Sequence, residues 1–293
     1  MKLDCSYYNQ RICRSCTKIE TEYAEQIRHK EQALTKLLGV SPDSLSPTVT
    51  SALEGFRSKA KFVVTGSLEE PLIGLTGLGD LDLGREILNC PLHDQRINSL
   101  LSSIKPFIQE ARLNPYEIKS KKGELKGLII YVSSTSELYL RFILRSKESL
   151  DRIKKNSAHF LQNHPDVKVM SANIQPIPHA ILEGEEEIFF TSEESVTHAF
   201  GPILSKVHPQ GFVQTNNKVA EKLYLRASEW IKEMSPERFC ELFSGQGAFS
   251  LTASAYFSQG LGVEINPEAV ARANRSAHEK NMTNLRFIPK DAS

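Results

Sequence analysis

Long apolar runs are missing from this sequence. Nowhere do about 18 apolar residues follow one another, so a membrane-spanning helix is not expected. The start, MKLDCSYYNQRIC, is polar and lacks the apolar centre of a secretory leader. Charge of one sign is missing too. With 36 Lys and Arg against 35 Asp and Glu, the net charge is +1. No global field marks a nucleic-acid binder, and any basic surface has to be local. Internal repeats and low-complexity tracts are absent. Tryptophan occurs once and cysteine five times in 293 residues. The chain reads as a cytoplasmic protein of about two domains, in a compartment where thiols stay reduced.

What cysteine there is, is clustered. CSYYNQRICRSC places Cys5, Cys13 and Cys16 together, and LNCPLHD places Cys90 before a proline. A C-x2-C pair puts two sulfurs on one tight turn, and a third from seven residues upstream can fold back to meet them. In a reducing compartment such a group points to metal or catalysis rather than to disulfides. Four thiolates suit zinc or a [4Fe–4S] cluster. Zinc sites usually pair two short knuckles, so three clustered cysteines plus a distant one favour the cluster; zinc and unliganded thiols stay open. Cys240 lies in an apolar run and reads as a buried core thiol.

Hydrophobic spacing predicts a helix over 21–38, with Tyr23, Ile27, Leu34, Leu37 and Leu38 as its apolar stripe and Gly39 as its stop. SPDSLSPTVTS is a loop. GFRSKAKFVVTGS alternates Phe56, Ser58, Ala60, Phe62 and Val64 with Arg57, Lys59, Lys61 and Val63, a strand with a mostly basic face. Helices are expected over 94–111 and 147–163. GLIIYVS and LYLRFILRS read as paired strands, and VKVMSANIQP and AILEGEEEIFF as further ones. Residues 1–39 therefore form a cysteine-rich segment with a helix, and 40–205 a mixed α+β domain with mainly antiparallel strands.

The last third, 206–293, changes character. NNKVAEKLYLRASEWIKEM is an amphipathic helix with Val219, Leu223, Ala227, Trp230 and Ile231 expected inward. RFCELFSGQGAFSLTASAYF, GLGVEINPEAVARANRSAHEKN and NLRFIPKDAS then spell strand, glycine loop, helix, strand, acid, helix, strand, acid. That is the βαβ pattern of a doubly wound nucleotide-type fold. Gly245 and Gly247 let a ligand approach the backbone, Glu264 ends the second strand where it can take ribose hydroxyls, and Asp291 follows the third where it can meet an adenine amino group. The third glycine of a dinucleotide fingerprint is missing. A ligand without a pyrophosphate, such as S-adenosylmethionine, suits the loop better. The plain alternative is a tight strand–helix turn with solvent-facing acids.

These stretches, with KKGELKGLIIYVS, NIQP and GFVQTNNKVAEKLY, resemble in sequence and order the bacterial 23S rRNA uracil-C5 methyltransferases that hold an iron–sulfur cluster, in the branch called RumB-like or RlmC-like. The resemblance implies an α+β central domain followed by the start of an α/β Rossmann-like class I methyltransferase domain with an incomplete parallel sheet. It implies a [4Fe–4S] cluster on Cys5, Cys13, Cys16 and Cys90. It also implies S-adenosyl-L-methionine held by Gln214, Ser244, Gly245, Gly247 and Glu264, and 23S rRNA as partner, methylated at C5 of a specific uridine; Phe243 of the same loop and Asp291 at the third strand end complete the expected cofactor site. The family often has cysteine where Ser244 stands.

In that family the nucleophilic cysteine, an N-P-P-R motif and a general-base glutamate follow the third strand. This sequence ends at Ser293. No catalytic residue is therefore expected in it, and the chain is expected to be truncated and inactive as given. Its first methyl-donor strand is expected to show an unpaired edge open to self-association, where a full-length member is a monomer. RNA contact is expected from Arg57, Lys59 and Lys61, and from Lys119, Lys121, Lys122 and Lys126, since cations hold phosphates and aromatics stack flipped bases. The plain alternative is a strand edge guarded by lysines. The alternative function is a noncatalytic RNA- and cofactor-binding protein with an iron–sulfur or zinc centre.

Overall fold

The structure is a computed structural model that describes residues 2–76, 84–177 and 183–292. It divides into two compact units, Met1–Val132 with Tyr139–Ser192, and Ser133–Leu138 with Glu193–Ser293.

The first unit opens with a short helix α1 (Ser6–Asn9) and α2 (Tyr23–Leu38). Gly39 ends α2 with φ +66°, a left-handed cap that glycine adopts at little cost. The apolar stripe expected on α2 is not buried: none of its residues is, and Leu34, Leu37 and Leu38 are exposed. Strands β1 (Lys59–Gly66), β2 (Pro71–Thr76) and β3 (Gly84–Glu86) precede α3 (Gln95–Glu110). Strands β4 (Leu125–Val132) and β5 (Leu138–Leu144), helix α4 (Leu150–Asn163), then β6 (Val167–Ile174) and β7 (Glu186–Phe189) follow. Part of the strand expected in AILEGEEEIFF, residues 180–182, lies outside the described residues.

All seven strands form one sheet in the order β3-β2-β1-β4-β5-β6-β7. β1 runs antiparallel to β2 and β4, with Lys59 opposite Tyr131 and Phe62 opposite Leu128. The alternation read in β1 holds: Ser58, Ala60, Phe62 and Val64 are buried, while Arg57 and Lys61 are exposed. β5 is buried along its whole length. α3 starts on Asp94, whose carboxylate accepts the Arg96 N–H at 3.0 Å, and it buries Ile97, Leu101, Ile104 and Ile108 completely. Phe107 packs at 5.4 Å from Phe142 of β5 and 5.1 Å from Phe160 of α4. Each such side chain contributes about 1.5–3 kcal/mol by leaving water.

A cation sits fully buried inside this sheet. Arg141 of β5 is 0% exposed. Its guanidinium Nε donates to the Glu187 carboxylate at 2.8 and 2.9 Å, and a second nitrogen donates to Glu183. Ser171 Oγ and Asn173 Nδ2 also donate to Glu187, at 2.6 and 3.0 Å. A buried cation is tolerated only with such partners.

The second unit begins with a hairpin, β8 (Val196–Phe200) and β9 (Ile203–Val207), then α5 (Asn217–Met234). A parallel sheet follows, β10-β11-β12, built from β10 (Arg238–Leu242), α6 (Ala248–Ala253), β11 (Gln259–Glu264), α7 (Pro267–Glu279) and β12 (Leu285–Pro289). Its core gathers Ile231, Leu251, Phe257, Val270, Leu285 and Phe287. Among the described residues β10 pairs only with β11. Two expectations are overturned in this unit. Cys240 is exposed rather than buried, because β10 turns Phe239 and Glu241 inward and leaves Arg238, Cys240 and Leu242 outside. Trp230 is 46% exposed rather than core. α5 buries Ser228 and Ile231, so the Leu223–Trp230 stripe faces out. No helix among the described residues is long and apolar enough to cross a membrane.

Replacing Glu187 by alanine strands the Arg141 guanidinium in the first unit. The expected loss is about 3–5 kcal/mol, read as a lower urea midpoint of that unit.

Candidate functional site

The second unit contains a cavity of about 220 Å³ at the end of β10. Four of the residues singled out in the sequence line it: Gln214, Phe243, Ser244 and Gly245. Gly247, Glu264 and Asp291 are not on its wall.

The loop between β10 and α6 makes the cavity floor. Three of its residues, Phe243, Gly245 and Gly247, have φ of +58°, +55° and +78°. For glycine this costs little; for Phe243 it is a strained conformation, and it leaves the ring 71% exposed. The two glycines differ in purpose. A Cβ on Gly247 would sit 2.5 Å from the Phe287 ring, whereas one on Gly245 would meet nothing within 4 Å. Gly247 permits packing underneath; Gly245 leaves open space above the backbone. The loop is fixed by backbone bonds from Ser244 N to Val263 O (3.0 Å) and Gly247 N to Ser244 O (2.8 Å). Glu264 completes the fixation: Oε2 accepts the Gly245 N–H and Oε1 the Asn266 N–H, both at 2.9 Å. Each carboxylate oxygen keeps a second lone pair. Asp291 is exposed beyond β12, next to Lys290, whose N–H donates to Glu264 O at 2.9 Å.

Further wall residues were not assigned from sequence: His198, Phe200, Phe212, Tyr224, Glu241 and Phe249. Glu241 could have been found, since the β10 alternation that buries Phe239 also turns it inward. His198 and Phe200 come from a hairpin far upstream, and no local pattern joins them to the glycine loop. Glu241 is bonded to the N–H and hydroxyl of Ser250 on α6. Burial raises its carboxyl above the ordinary range, although the Ser250 bonds oppose this. Burial, then the charge of Glu241, raises the Tyr224 phenol. Burial lowers His198 to about 4, and its Nδ1 accepts the Ser134 N–H at 3.2 Å. Phe212 stands 75% exposed on the cavity wall. The Ser244 hydroxyl is buried with no hydrogen-bond partner among the described residues.

In the first unit the four expected thiols are neighbours and all half-buried. Burial raises the Cys16 thiol, and Cys90, Cys13 and Cys5 add to the rise, while Arg57 opposes it. Burial also raises Cys90, with Cys5 and Cys13 contributing. The Asn89 N–H donates to Tyr7 Oη at 3.1 Å, tying the first cysteine segment to the Cys90 loop. Among the described residues no three Cys, His, Asp or Glu side chains converge as a metal-ion site. The donor set, thiols without carboxylates, fits a four-thiolate group in identity and neighbourhood, but the thiols are not gathered at single-ion distances. A cluster, whose irons each take their own thiolate, spreads its ligands more widely.

The basic residues diverge. Arg57 is exposed near the thiols, Lys59 half-buried, and Lys61 bonded to Glu183 at 2.6 Å. Lys121 and Lys122 are exposed in a loop closed by the Glu117 N–H to Lys122 O bond at 2.9 Å. Lys126 instead turns in: its ammonium donates to the carbonyls of Gln175 and Ile177, each at 2.7 Å, and lies 5.0 Å from the Tyr116 ring.

Parallel strands, a glycine loop at the first strand end and a carboxylate at the second define the ligand-binding part of a Rossmann-like methyltransferase fold. A family model described as tRNA (Uracil-5-)-methyltransferase matches residues 189–292. The chain is 38% identical over 293 residues to a Vibrio cholerae protein named 23S rRNA (uracil(747)-C(5))-methyltransferase RlmC, covering 99% of this chain and 78% of that one. A Glaesserella parasuis protein of the same name is 38% identical over 304 residues, covering 100% and 77%. The crystal structure of Pyrococcus abyssi tRNA (uracil-54, C5)-methyltransferase in complex with S-adenosyl-L-homocysteine aligns with a TM-score of 0.76 at 20% identity, over 93% of this chain. This chain spans 63% of that one, and the likeness is one of fold. The chain belongs to the family of 23S rRNA uracil-C5 methyltransferase enzymes.

Two outcomes follow from the geometry of the site. Ser244→Cys removes an orphaned hydroxyl and is expected to stabilise the second unit by about 1–3 kcal/mol, seen as a higher melting temperature. His198 ordinarily titrates at 6.5 and here at about 4. Between those values the unfolded chain holds a proton that the folded one does not. Stability is therefore lost as pH falls from about 6.5 towards about 4, and this group has no effect above that window. Urea midpoints at a series of pH values check it, with His198→Phe flattening the profile.

Proposed function

We propose that the cavity at the end of β10 takes S-adenosyl-L-methionine and that this chain serves C5 methylation of a 23S rRNA uridine, the reaction named in its relatives for uracil 747. The observation that carries the reading is the open space above Gly245, in a cavity lined by Gln214, Phe243 and Ser244 at the strand end. A co-product of such a donor, S-adenosyl-L-homocysteine, is bound by the Pyrococcus abyssi protein of similar fold. The donor's ribose hydroxyls suit the remaining lone pairs of Glu264, and Asp291 continues the same row of strand ends towards the adenine amino group.

Uracil C5 is a weak nucleophile. A thiolate adding at C6 generates an enolate, C5 then attacks the methyl group, and a base removes the C5 proton before the thiol leaves. We assign donor binding and RNA positioning to this chain, the latter to Arg57, Lys59, Lys61, Lys121 and Lys122. Lys126, with its two carbonyl partners, orders the start of β4 instead. No cysteine is among the residues lining the cavity. The purified chain is accordingly expected to bind donor without transferring the methyl group.

The four clustered thiols are proposed as the ligands of a [4Fe–4S] cluster whose role is to join residues 5–16 to the Cys90 loop. Their mutual electrostatic effect supports the grouping. Anaerobically purified protein should carry about four irons and four sulfides per chain, and Cys90→Ser should lose most of them. Stoichiometric zinc without a visible charge-transfer band would replace the cluster by a zinc site.

Calorimetry with S-adenosyl-L-homocysteine tests the donor reading. Gly245→Val should abolish binding, because it fills the open space and strains a positive φ. Glu264→Ala should weaken it by about 1.5–3 kcal/mol, the range for a charged hydrogen bond. Equal affinity in both variants and the parent would sink the site. Incorporation of labelled methyl into unmodified 23S rRNA by the parent chain would show that one of its five cysteines is the nucleophile.

A further inference from the structure

We propose that the sheet face carrying Lys59, Lys61 and Arg141 is a binding site for an RNA backbone phosphate, and that Glu183 occupies the phosphate's place until RNA displaces it. The proposal rests on the reading of this chain as an rRNA-binding methyltransferase.

The face is defined by register. Lys59 stands opposite Tyr131 across the β1–β4 pair, and the Tyr131 and Tyr139 rings lie 5.3 Å apart. The Lys59 ammonium is 5.8 Å from the Tyr139 ring. Arg141, two residues after Tyr139 on β5, shares its face. Three cations, Lys59, Lys61 and Arg141, thus meet two carboxylates, Glu183 and Glu187.

The two carboxylates are held differently. Glu187 is built in: its side chain is almost fully buried and accepts from Arg141, Ser171 and Asn173. Glu183 sits at the solvent edge, with a side chain 29% exposed, between Lys61 at 2.6 Å and Arg141. Burial raises its carboxyl, but the two cations outweigh this and hold it below the ordinary range. Removing Glu183 would leave Arg141 its bidentate partner and free Lys61.

Two groups on this face are incomplete. Lys59 forms no ion pair among the described residues, and burial lowers its ammonium to about 8. The Tyr139 hydroxyl is fully buried with no hydrogen-bond partner among the described residues. The Lys59 ammonium calls for an anionic oxygen, whereas the Tyr139 hydroxyl is closed off from solvent and out of a phosphate's reach. A phosphodiester offers two non-bridging oxygens, as a carboxylate does, and can place one on Lys61 and turn the other to Lys59. Arg57, exposed just before β1, continues the cationic row along a backbone.

A tethered carboxylate competes at high effective concentration. An isolated phosphate displaces it poorly, whereas a polyanion that also contacts Arg57 and releases several counterions can do so. Glu183 would therefore select chains of phosphates over single ones, specificity obtained through a built-in competitor.

The test uses the 293-residue chain and a fluorescein-labelled oligouridylate, with anisotropy recorded over a potassium chloride series. Glu183→Gln should bind about threefold to tenfold tighter at low salt, and its log K against log salt should steepen by about 0.7, one phosphate's worth of counterion for a single strand. Inorganic phosphate should compete measurably against the oligonucleotide in Glu183→Gln and poorly in the parent. In a Lys61→Met background the gain from Glu183→Gln should vanish, since Lys61 is the cation that Glu183 releases. An unchanged slope in Glu183→Gln, or a gain that survives Lys61→Met, overturns the proposal while leaving the RNA reading intact. No binding by any folded variant overturns both. Should Glu183→Gln fail to fold, Lys59→Met alone decides, since it breaks no ion pair: oligouridylate binding weaker by about threefold at low salt is expected, and unchanged affinity overturns the site.

Discussion

The bond from the Gly245 N–H to the Glu264 carboxylate is the constraint on which the candidate site depends. It joins the loop after the first parallel strand to the end of the second, at 2.9 Å. A loop with three positive φ values has no regular hydrogen-bond ladder to hold it, and its donors need partners elsewhere. Glu264 supplies one, the β11 carbonyl of Val263 accepts another, and the bond of Glu241 to Ser250 fixes the helix that follows. The two acids act in opposite directions, one pulling the loop towards β11 and the other anchoring α6 to β10. Of the two, Glu241 lines the cavity, and Glu264 holds the loop from outside its wall.

Much of this was legible in the sequence because it is local. The glycine spacing, the strand-end acids and the helices between the strands lie within about fifty residues, where period and punctuation speak directly. The alternating basic strand and the hairpin β4–β5 were legible for the same reason. What failed was burial. Cys240 and Trp230 were read as core from apolar neighbours, but burial depends on what lies across the strand or helix, which no local pattern reports. The stripe on α2 failed in the same way. His198 entered the cavity wall by a tertiary route without any sequence signal, and nothing local in LYLRFILRS signals that Arg141 meets Glu183 and Glu187 from beyond residue 180.

The first unit has a charged centre where most sheets have an apolar one. Its fold requires every oxygen and nitrogen around Arg141 to find a partner, so register errors in β5, β6 or β7 would strand a buried charge. Such a network specifies pairing more sharply than apolar contacts, which tolerate slippage.

The exposed position of Trp230 has a practical consequence. It is the chain's single indole, it sits on α5 in the second unit, and it is already partly in water in the folded state. Intrinsic tryptophan emission will therefore start red-shifted and change little on denaturation, and it carries no direct signal from the first unit. That unit's optical report comes instead from the buried Tyr131–Tyr139 pair, whose phenol absorbance shifts when the rings enter solvent. Exciting where only the indole absorbs thus follows the second unit alone, whereas tyrosine absorbance mixes both units, since Tyr224 and Tyr256 belong to the second.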